Sequence, residues 1–575
     1  MCFFVQDLKK RHREGWISAT RVEKLASLDD VSRQSSNVIR GNSMRATQIL
    51  VMALLCLCGS AFAQDRKPVA PDPNQPWLGV PLPSAFESEP AVLVGERPAR
   101  PFAAPANEPR ISEFSGDRIR TDLERIVGFS KESRAKREIG SGQIWGRISG
   151  FESSAATIDW AAAQLRAAGI GDVRMQPIKQ EPQASLWLPH SWEVRLLADP
   201  ALGPGTRDVI LESAIPLPPS ALPEGGLTAP LVYVGTASPA VLAQIDVKGK
   251  IAVQLTIPQG HMLFEREPVT SRAQDLMRRG ALAVVNLVRL PGNERSRDFS
   301  NCGGPCFNLG GRDGWFVERL LDRAAQAGVG DRVRARLSLA SQMHTGLASK
   351  NAIAIVPGKS GNETVLIDAH ADAWFDGAGD NADGLAVMLA LARHFAKPEH
   401  RLQRTIVFIV SAGHHTSGVN GPRNFVRSNP DLVKKAALVI NIEHVAQRNF
   451  SPARTVASDG YRHAVADSGE APIVVGVSND AASLNAHIRN GALRYGTNLV
   501  SEPSRMQSGE TGGFADVNAA KITVMQAPPL YHTTGETLEV ISTPGLERMA
   551  HFLAYFLRET DAQPRAQLNP AKTSE

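Results

Sequence analysis

Six short apolar runs mark the second half of the chain: Ala352 to Val356, Val365 to Ile367, Thr405 to Val410, Ala437 to Ile442, Ile473 to Val477 and Ile522 to Met525. Unbroken apolar runs of this length predict strands buried on both faces. Helical patterns and loops separate them, so the alternation predicts an α/β domain whose mixed, largely parallel sheet lies between helix layers. The stretch Gly384 to Phe395 is apolar nearly all round and reads as a buried helix. Upstream, Asp117 to Val127 looks helical, and Glu152 to Ala168 is a clearer case. There Ile158, Ala162 and Leu165 share a face, and Gly169 stands where the helix should end. Thr543 to Arg558 reads as a C-terminal helix, and Trp187 to Ala214 as strands of uncertain partnership.

The pattern changes near Gly225. Leu231 to Gly235, then Asp246-Val-Lys-Gly-Lys250 leading into Ile251 to Leu255, give strand, turn, strand. A helix from Ser271 to Arg279 ends at Gly280, the strand Ala281 to Asn286 follows, and Asp313-Gly314 precedes a helix from Trp315 to Ala327. The D-V-K-G-K-I-A-V turn and the helix-Gly-Ala-x-Ala-Val-Val pattern resemble the protease-associated domain, a small β-rich module often inserted into secreted peptidases.

Composition adds little to this until the N-terminus is set apart. The chain has 575 residues, more than one ordinary domain, and a formal net charge of +5. Residues 1–63 hold nine Lys/Arg and five Asp/Glu, which leaves +1 for the rest and implies no basic surface for nucleic acid. Their removal is expected. Ile49 to Cys58 is an apolar core of signal-peptide length, Arg45 precedes it, and Ala61-Phe62-Ala63 supplies a cleavage site before Gln64. The core is too short to span a bilayer, so no stable membrane anchor is expected and the mature protein is expected to be exported, periplasmic or extracellular. Met44 is the expected start, with residues 1–43 an upstream misread. Residues 44–63 are then the signal peptide, 64–111 a Pro-rich arm, and 112–224 the N-terminal part of a catalytic-type domain. Residues 225–345 are the protease-associated module, 346–560 the main α/β domain and 561–575 a polar tail.

Cys302 and Cys306 are the only cysteines left after that removal. An even pair this close in an exported protein favours a local disulfide. A metal site would need two more ligands nearby, and only His261 offers itself.

The candidate chemistry gathers at strand ends. Val365 to Ile367 runs into Asp368-Ala-His370-Ala-Asp372, and a Gly-rich loop with Asp376, Asp380 and Asp383 leads into the buried helix. After Val410 come Ser411-Ala-Gly-His414-His415; after Asn441 come Ile442-Glu443-His444; after Met525 comes a segment ending in Tyr531-His532. Open α/β sheets keep their sites at such strand ends, and imidazole with carboxylate suits a zinc-type ion. Asp372 could hold the His370 imidazole in place. Ligand-type groups from four strand ends are hard to bury together unpaired.

These motifs resemble the secreted co-catalytic zinc peptidases that include bacterial leucyl aminopeptidase, glutamate carboxypeptidase and the non-catalytic transferrin receptor. The likeness runs from about Asp117 to the C-terminal helix. His370-Ala-Asp372, with Asp380 ten residues after the His in D-N-A-D-G, is similar to the family's first-ligand and bridging-carboxylate motif. Glu443 falls at a ligand position, and Tyr531-His532 followed by Glu536 at the last His ligand. The resemblance implies a zinc aminopeptidase-like fold and one or two zinc ions. His370, Asp380 and Glu443 would hold one, and Asp380, His415 and His532 the other. It also implies a cis Asp380–Asn381 bond, and a pocket lined by Tyr531 and the loop Ser508 to Phe514, Phe514 included. The substrate would be a peptide or aminoacyl compound. Nothing in the sequence bears on oligomeric state.

One departure stands out. Where the family carries two adjacent glutamates, the first the general base and the second a ligand, this chain has His414 and His415. His415 can replace a carboxylate as ligand. His414 in the base position, with Asp372 beside the site, carries the expected catalytic roles. The swap removes two negative charges, so three readings stand: an aminopeptidase-type hydrolase, a peptidase-fold binding or receptor-like protein without turnover, and glutaminyl cyclase-like acyl chemistry.

Overall fold

The computed structural model describes residues 70–570 apart from short segments at 84–91, 94–99, 257–265, 291, 298–301, 456–461, 472, 480, 504–508 and 527–529. The expected signal peptide and start site, His261 and Ser508 lie outside the described residues.

The six apolar runs become the strands β2 (Ala348–Val356), β3 (Thr364–His370), β4 (Thr405–Ser411), β5 (Ala436–Glu443), β6 (Ile473–Val477) and β8 (Ala520–Gln526), and two strands outside those runs, β1 (Asp172–Lys179) and β7 (Leu499–Pro503), complete the set. They form one mixed sheet in the order β7-β6-β8-β5-β3-β4-β2-β1. Its centre is parallel: β3 pairs parallel with β4 and β5, and β5 with β8. The flanks turn antiparallel at β2 and at β6.

The strands are buried on both faces because successive side chains enter different cores. Ile406, Phe408 and Val410 of β4 join one hydrophobic cluster, while Val407 and Ile409 join the other. The first cluster is covered by α1 (Gly116–Lys136), α2 (Glu152–Ala167), α3 (Gly384–Phe395) and α4 (Thr543–Asp561). In α3 every residue except Arg393 is buried, as its all-round apolar pattern requires. The α2 helix closes at Gly169, whose φ of 88° lets the chain turn away, with Ile170 N–H bonding back to Leu165 O. The α4 helix starts at a Ser542 cap that accepts from Gly545 N–H at 3.0 Å.

A second eight-stranded sheet spans Leu186 to His344 and has its own hydrophobic cluster. The strands anticipated between Trp187 and Ala214 find their partners here. Leu186–Leu196 pairs with Arg334–His344 and with Val209–Ile210. Pairing therefore runs across the 224/225 boundary: Ile215–Pro216 pairs with Cys306–Leu309. Cys302 and Cys306 are joined by a disulfide, with Cα atoms 6.1 Å apart. Among the described residues no helix is long and apolar enough to cross a membrane.

Candidate metal centre

The carboxyl ends of β3, β4, β5 and β8 deliver their side chains to one buried point, the carboxylate of Asp380. Oδ1 faces His370 Nε2 and His444 Nε2, each at 3.1 Å. Oδ2 faces His415 Nε2 and His532 Nε2, each at 3.0 Å. Asp380 is wholly buried. Burial alone would raise its pKa, but the surrounding imidazoles outweigh that and hold it well below the usual carboxylate range.

The loop that carries Asp380 is built to hold still. Arg147, fully buried, donates to the carbonyls of Ala371 (3.0 Å), Asp376 (2.8 Å) and Gly377 (3.1 Å) and to Ser130 Oγ (2.7 Å). The Asp380–Asn381 peptide bond is cis. Asn381 Nδ2 donates to Ile442 O at 2.8 Å, and its Oδ1 accepts from His444 N–H. Asp383 accepts from the N–H groups of Val445 and Ala446 at 2.9 and 2.8 Å. The D-N-A-D-G run thus pins the turn after β5, and that turn aims His444 at Asp380.

Tautomers can be read from the outer ring nitrogens. His370 Nδ1 lies 3.0 Å from the Asp372 carbonyl and His444 Nδ1 lies 3.1 Å from the Gln526 carbonyl. A carbonyl only accepts, so both Nδ1 atoms carry hydrogen, and when either ring is neutral its Nε2 is a bare acceptor toward Asp380. Two acceptors facing each other at this distance need a proton or a metal ion between them. Accordingly, Asp380 Oδ1 and the Nε2 atoms of His370, His415 and His444 are buried without a hydrogen-bond partner. So are Glu443 Oε2 and Glu510 Oε2. The donor set fits divalent zinc-type ions sharing the Asp380 carboxylate.

The backbone also signals a constrained site. His444 and His532 have φ of 47° and 56°, left-handed values that side chains other than glycine avoid. Each costs about 1–2 kcal/mol and persists only where the surroundings over-determine it, as at ligand clamps.

Beside this point lies a second cluster. His414 Nδ1 donates to Glu510 Oε1 at 2.7 Å. The His414 ring stacks on His370 with centroids 4.2 Å apart and planes 5° from parallel. Glu443 sits against Glu510 and accepts from Asn441 Nδ2 at 3.1 Å, with Oε1 3.9 Å from His370 Nε2. Burial pushes Glu510 well above the carboxylate range, and the charge of Glu443 adds to this. Burial pulls His414 down, yet the Glu510 carboxylate overrides it and raises the imidazole. Burial also lowers His415 to about 3, whereas at His444 it is outweighed by Asp380 and the ring rises to about 9. Gly509 makes the close approach possible: its φ is +62°, and a Cβ there would lie 2.3 Å from Glu443 Oε1.

The structure therefore gathers His370, Asp380, His414, His415, Glu443 and His532. Tyr531 stacks on His532 with centroids 3.6 Å apart and borders the centre. Two residues stand elsewhere than expected. Phe514 is fully buried and packs on Phe425 in the second hydrophobic cluster, because the turn Gly509–Phe514 sends its far end into the core and its near end, Glu510, into the site. The Asp372 carboxylate does not hold the His370 ring; it accepts from the N–H groups of His414 (3.3 Å) and His415 (2.9 Å), and its main-chain carbonyl takes the ring bond instead. Sequence reading missed His444 as a site residue and placed Glu510 only within the pocket-lining loop Ser508 to Phe514, without a role of its own. His444 follows Glu443 directly, and its position at a strand end was the available signal.

Comparison with known proteins agrees with this geometry. Residues 351–557 match the profile of peptidase family M28. The match spans 207 of the chain's 575 residues and contains every residue named in the centre. Two solved structures share the fold. A peptidase M28 precursor from Shewanella amazonensis SB2B is 19% identical, covers 80% of this chain and 100% of its own, and superposes with a TM-score of 0.55. BSAP, a zinc aminopeptidase from Bacillus subtilis, is 18% identical, covers 80% of this chain and 99% of its own, and has a TM-score of 0.52. No curated protein matches the chain.

Proposed function

We propose that this chain is a zinc-dependent peptidase of the aminopeptidase type, acting on peptide or aminoacyl substrates. The observation that carries the reading is the Asp380 carboxylate ringed by four imidazole Nε2 atoms, three of them buried without a hydrogen-bond partner. In this assignment His370 and His444, with Glu443 nearby, would hold one ion together with Asp380, and His415 and His532 would hold a second. Bound there, the ions would supply Lewis acidity toward water and the scissile carbonyl.

The chain's own residues do the proton work. Glu510 holds the His414 proton at Nδ1, so in the neutral ring Nε2 is the atom that accepts a proton from the attacking water and returns it to the leaving amine; because Glu510 raises the imidazole, this role needs a pH at which the ring has lost its second proton. Glu510 also restores a carboxylate that the His414-His415 pair removes. Asp372 orients both histidines through their backbone N–H groups. The second sheet, from Leu186 to His344, is assigned as the protease-associated module, wider than the segment 225–345, and removal of the leader at Gln64 as the route of export.

The test is a panel of aminoacyl amides and dipeptides. Hydrolysis is expected with zinc-loaded protein, is expected to be lost on chelation and to return with zinc. A protein that retains zinc yet turns over no member of the panel would contradict the enzyme reading and favour a binding protein on a peptidase fold.

A further inference from the structure

The second sheet sends one charged side chain toward the metal centre. Its segment Glu294 to Arg297 runs along the loop that carries His532. Ser296 bridges to Thr533, Arg295 N–H donates to Thr534 Oγ1 at 3.0 Å, and Arg297 N–H donates to the His532 carbonyl at 2.9 Å. From there the Arg297 guanidinium lies over the Trp374 ring, 4.0 Å from its centroid, with Trp187 at 5.9 Å. Trp374 in turn borders His415, with ring centroids 6.0 Å apart. Arg297 is thus one aromatic ring away from the centre.

Among the described residues its charge is unanswered. The residue is only 8% exposed, and its Nε and Nη1 are buried without a hydrogen-bond partner. Among the described residues no carboxylate offsets its burial, which lowers its pKa to about 9. Two arginines nearby, the buried Arg147 and the half-buried Arg295, differ. Arg147 has four oxygen partners, and Arg295 bonds the carbonyls of Glu212 and Gln143. A buried, unpaired guanidinium stacked on tryptophan has its planar fork free for a carboxylate, the group whose geometry it matches. Cation–π contact with Trp374 holds the fork in place without using its donors.

We infer that Arg297 is a specificity residue that binds a substrate carboxylate close to the scissile bond, so that the chain selects anionic short peptides. The carboxylate is either the free C-terminus of a dipeptide or an acidic side chain. The identity of the ligand as a peptide rests on the peptidase reading; the capture of a carboxylate does not.

The experiment measures binding and turnover for four probes: Ala-Gly, its C-terminal amide, Glu-Gly amide and Gln-Gly amide. Binding is read by calorimetry on the metal-stripped full chain and kcat/KM on the zinc-loaded chain. At least one carboxylate probe is expected to bind about tenfold or more tightly than its neutral counterpart. The first pair reports a terminal carboxylate, and the second an acidic side chain. Arg297→Met is expected to erase that preference while leaving the neutral probes nearly unchanged, and Arg297→Lys to keep part of it. No preference in wild type, or an equal preference in Arg297→Met, would overturn the inference, and the wild-type result alone decides it should the variant not fold. Preference without turnover would count against the peptidase reading alone; turnover without preference would count against Arg297 alone.

Discussion

Replacing Asp380 by asparagine is expected to empty the centre of zinc and to reduce turnover by ~10³-fold or more, about 4 kcal/mol of lost transition-state stabilisation. The size of the effect follows from geometry. Both carboxylate oxygens face imidazoles at 3.0–3.1 Å, so one residue serves both halves of the centre. An amide offers one acceptor oxygen and no charge, and cannot serve two cations. The main-chain frame should survive, because Arg147 bonds carbonyls of the loop and not the Asp380 side chain. Zinc content and peptidase rate of the variant, with its circular dichroism as a folding control, check this. Retention of both zinc and rate would show that Asp380 is not the shared ligand.

The second large effect concerns His414. His414→Ala is expected to lower kcat by ~10²–10⁴-fold, the usual worth of a general base, with zinc content close to wild type. Glu510→Gln should cost less, on the order of 10–100-fold, because a partner that only orients the working group contributes about that much. His414→Glu gives a sharper test. The resemblance stated from the sequence implies a glutamate at this position, and on that expectation alone restoring it would raise the rate. The structure argues otherwise: the new carboxylate would stand against Glu510, which now bonds the His414 ring at 2.7 Å. Two carboxylates that close cannot both ionise, so the single variant should be impaired. Glu510→Gln introduced on top of it should recover part of the loss. Single and double variants assayed together measure the coupling. A His414→Glu variant faster than wild type would show that His414 is a defect and not an adapted base.

Much of the sheet could be read from the sequence because its physics is local. Runs such as Thr405 to Val410 have no polar face, and only a strand buried on both sides accommodates that. Strand ends then predicted where ligands meet, and His370, Asp380, His415 and His532 do meet. Glu443 meets them only at the edge, 3.9 Å from His370, since Glu510 draws it away. What escaped was set by long-range contacts. Glu510 reaches His414 across 96 positions of chain, and Arg147 reaches the Asp380 loop across more than 200. The pocket-lining expectation for Ser508 to Phe514 covered Glu510 but gave it no role, and Arg147 carries no local signature. Arg297 looks like any surface arginine until the second sheet covers it. Phe514 misled because an aromatic residue near a site is as often core as pocket, and here the turn buries it.

The central claim is that imidazoles dominate the ligand set, and X-ray absorption at the zinc edge of loaded, desalted full-length protein tests it most directly. The account predicts bound zinc whose scattering shows several imidazole rings, with the histidine contribution reduced in His444→Ala, the ligand that family resemblance did not anticipate. Absence of bound zinc, or a zinc shell of oxygen ligands unaltered by removing His444, would contradict it.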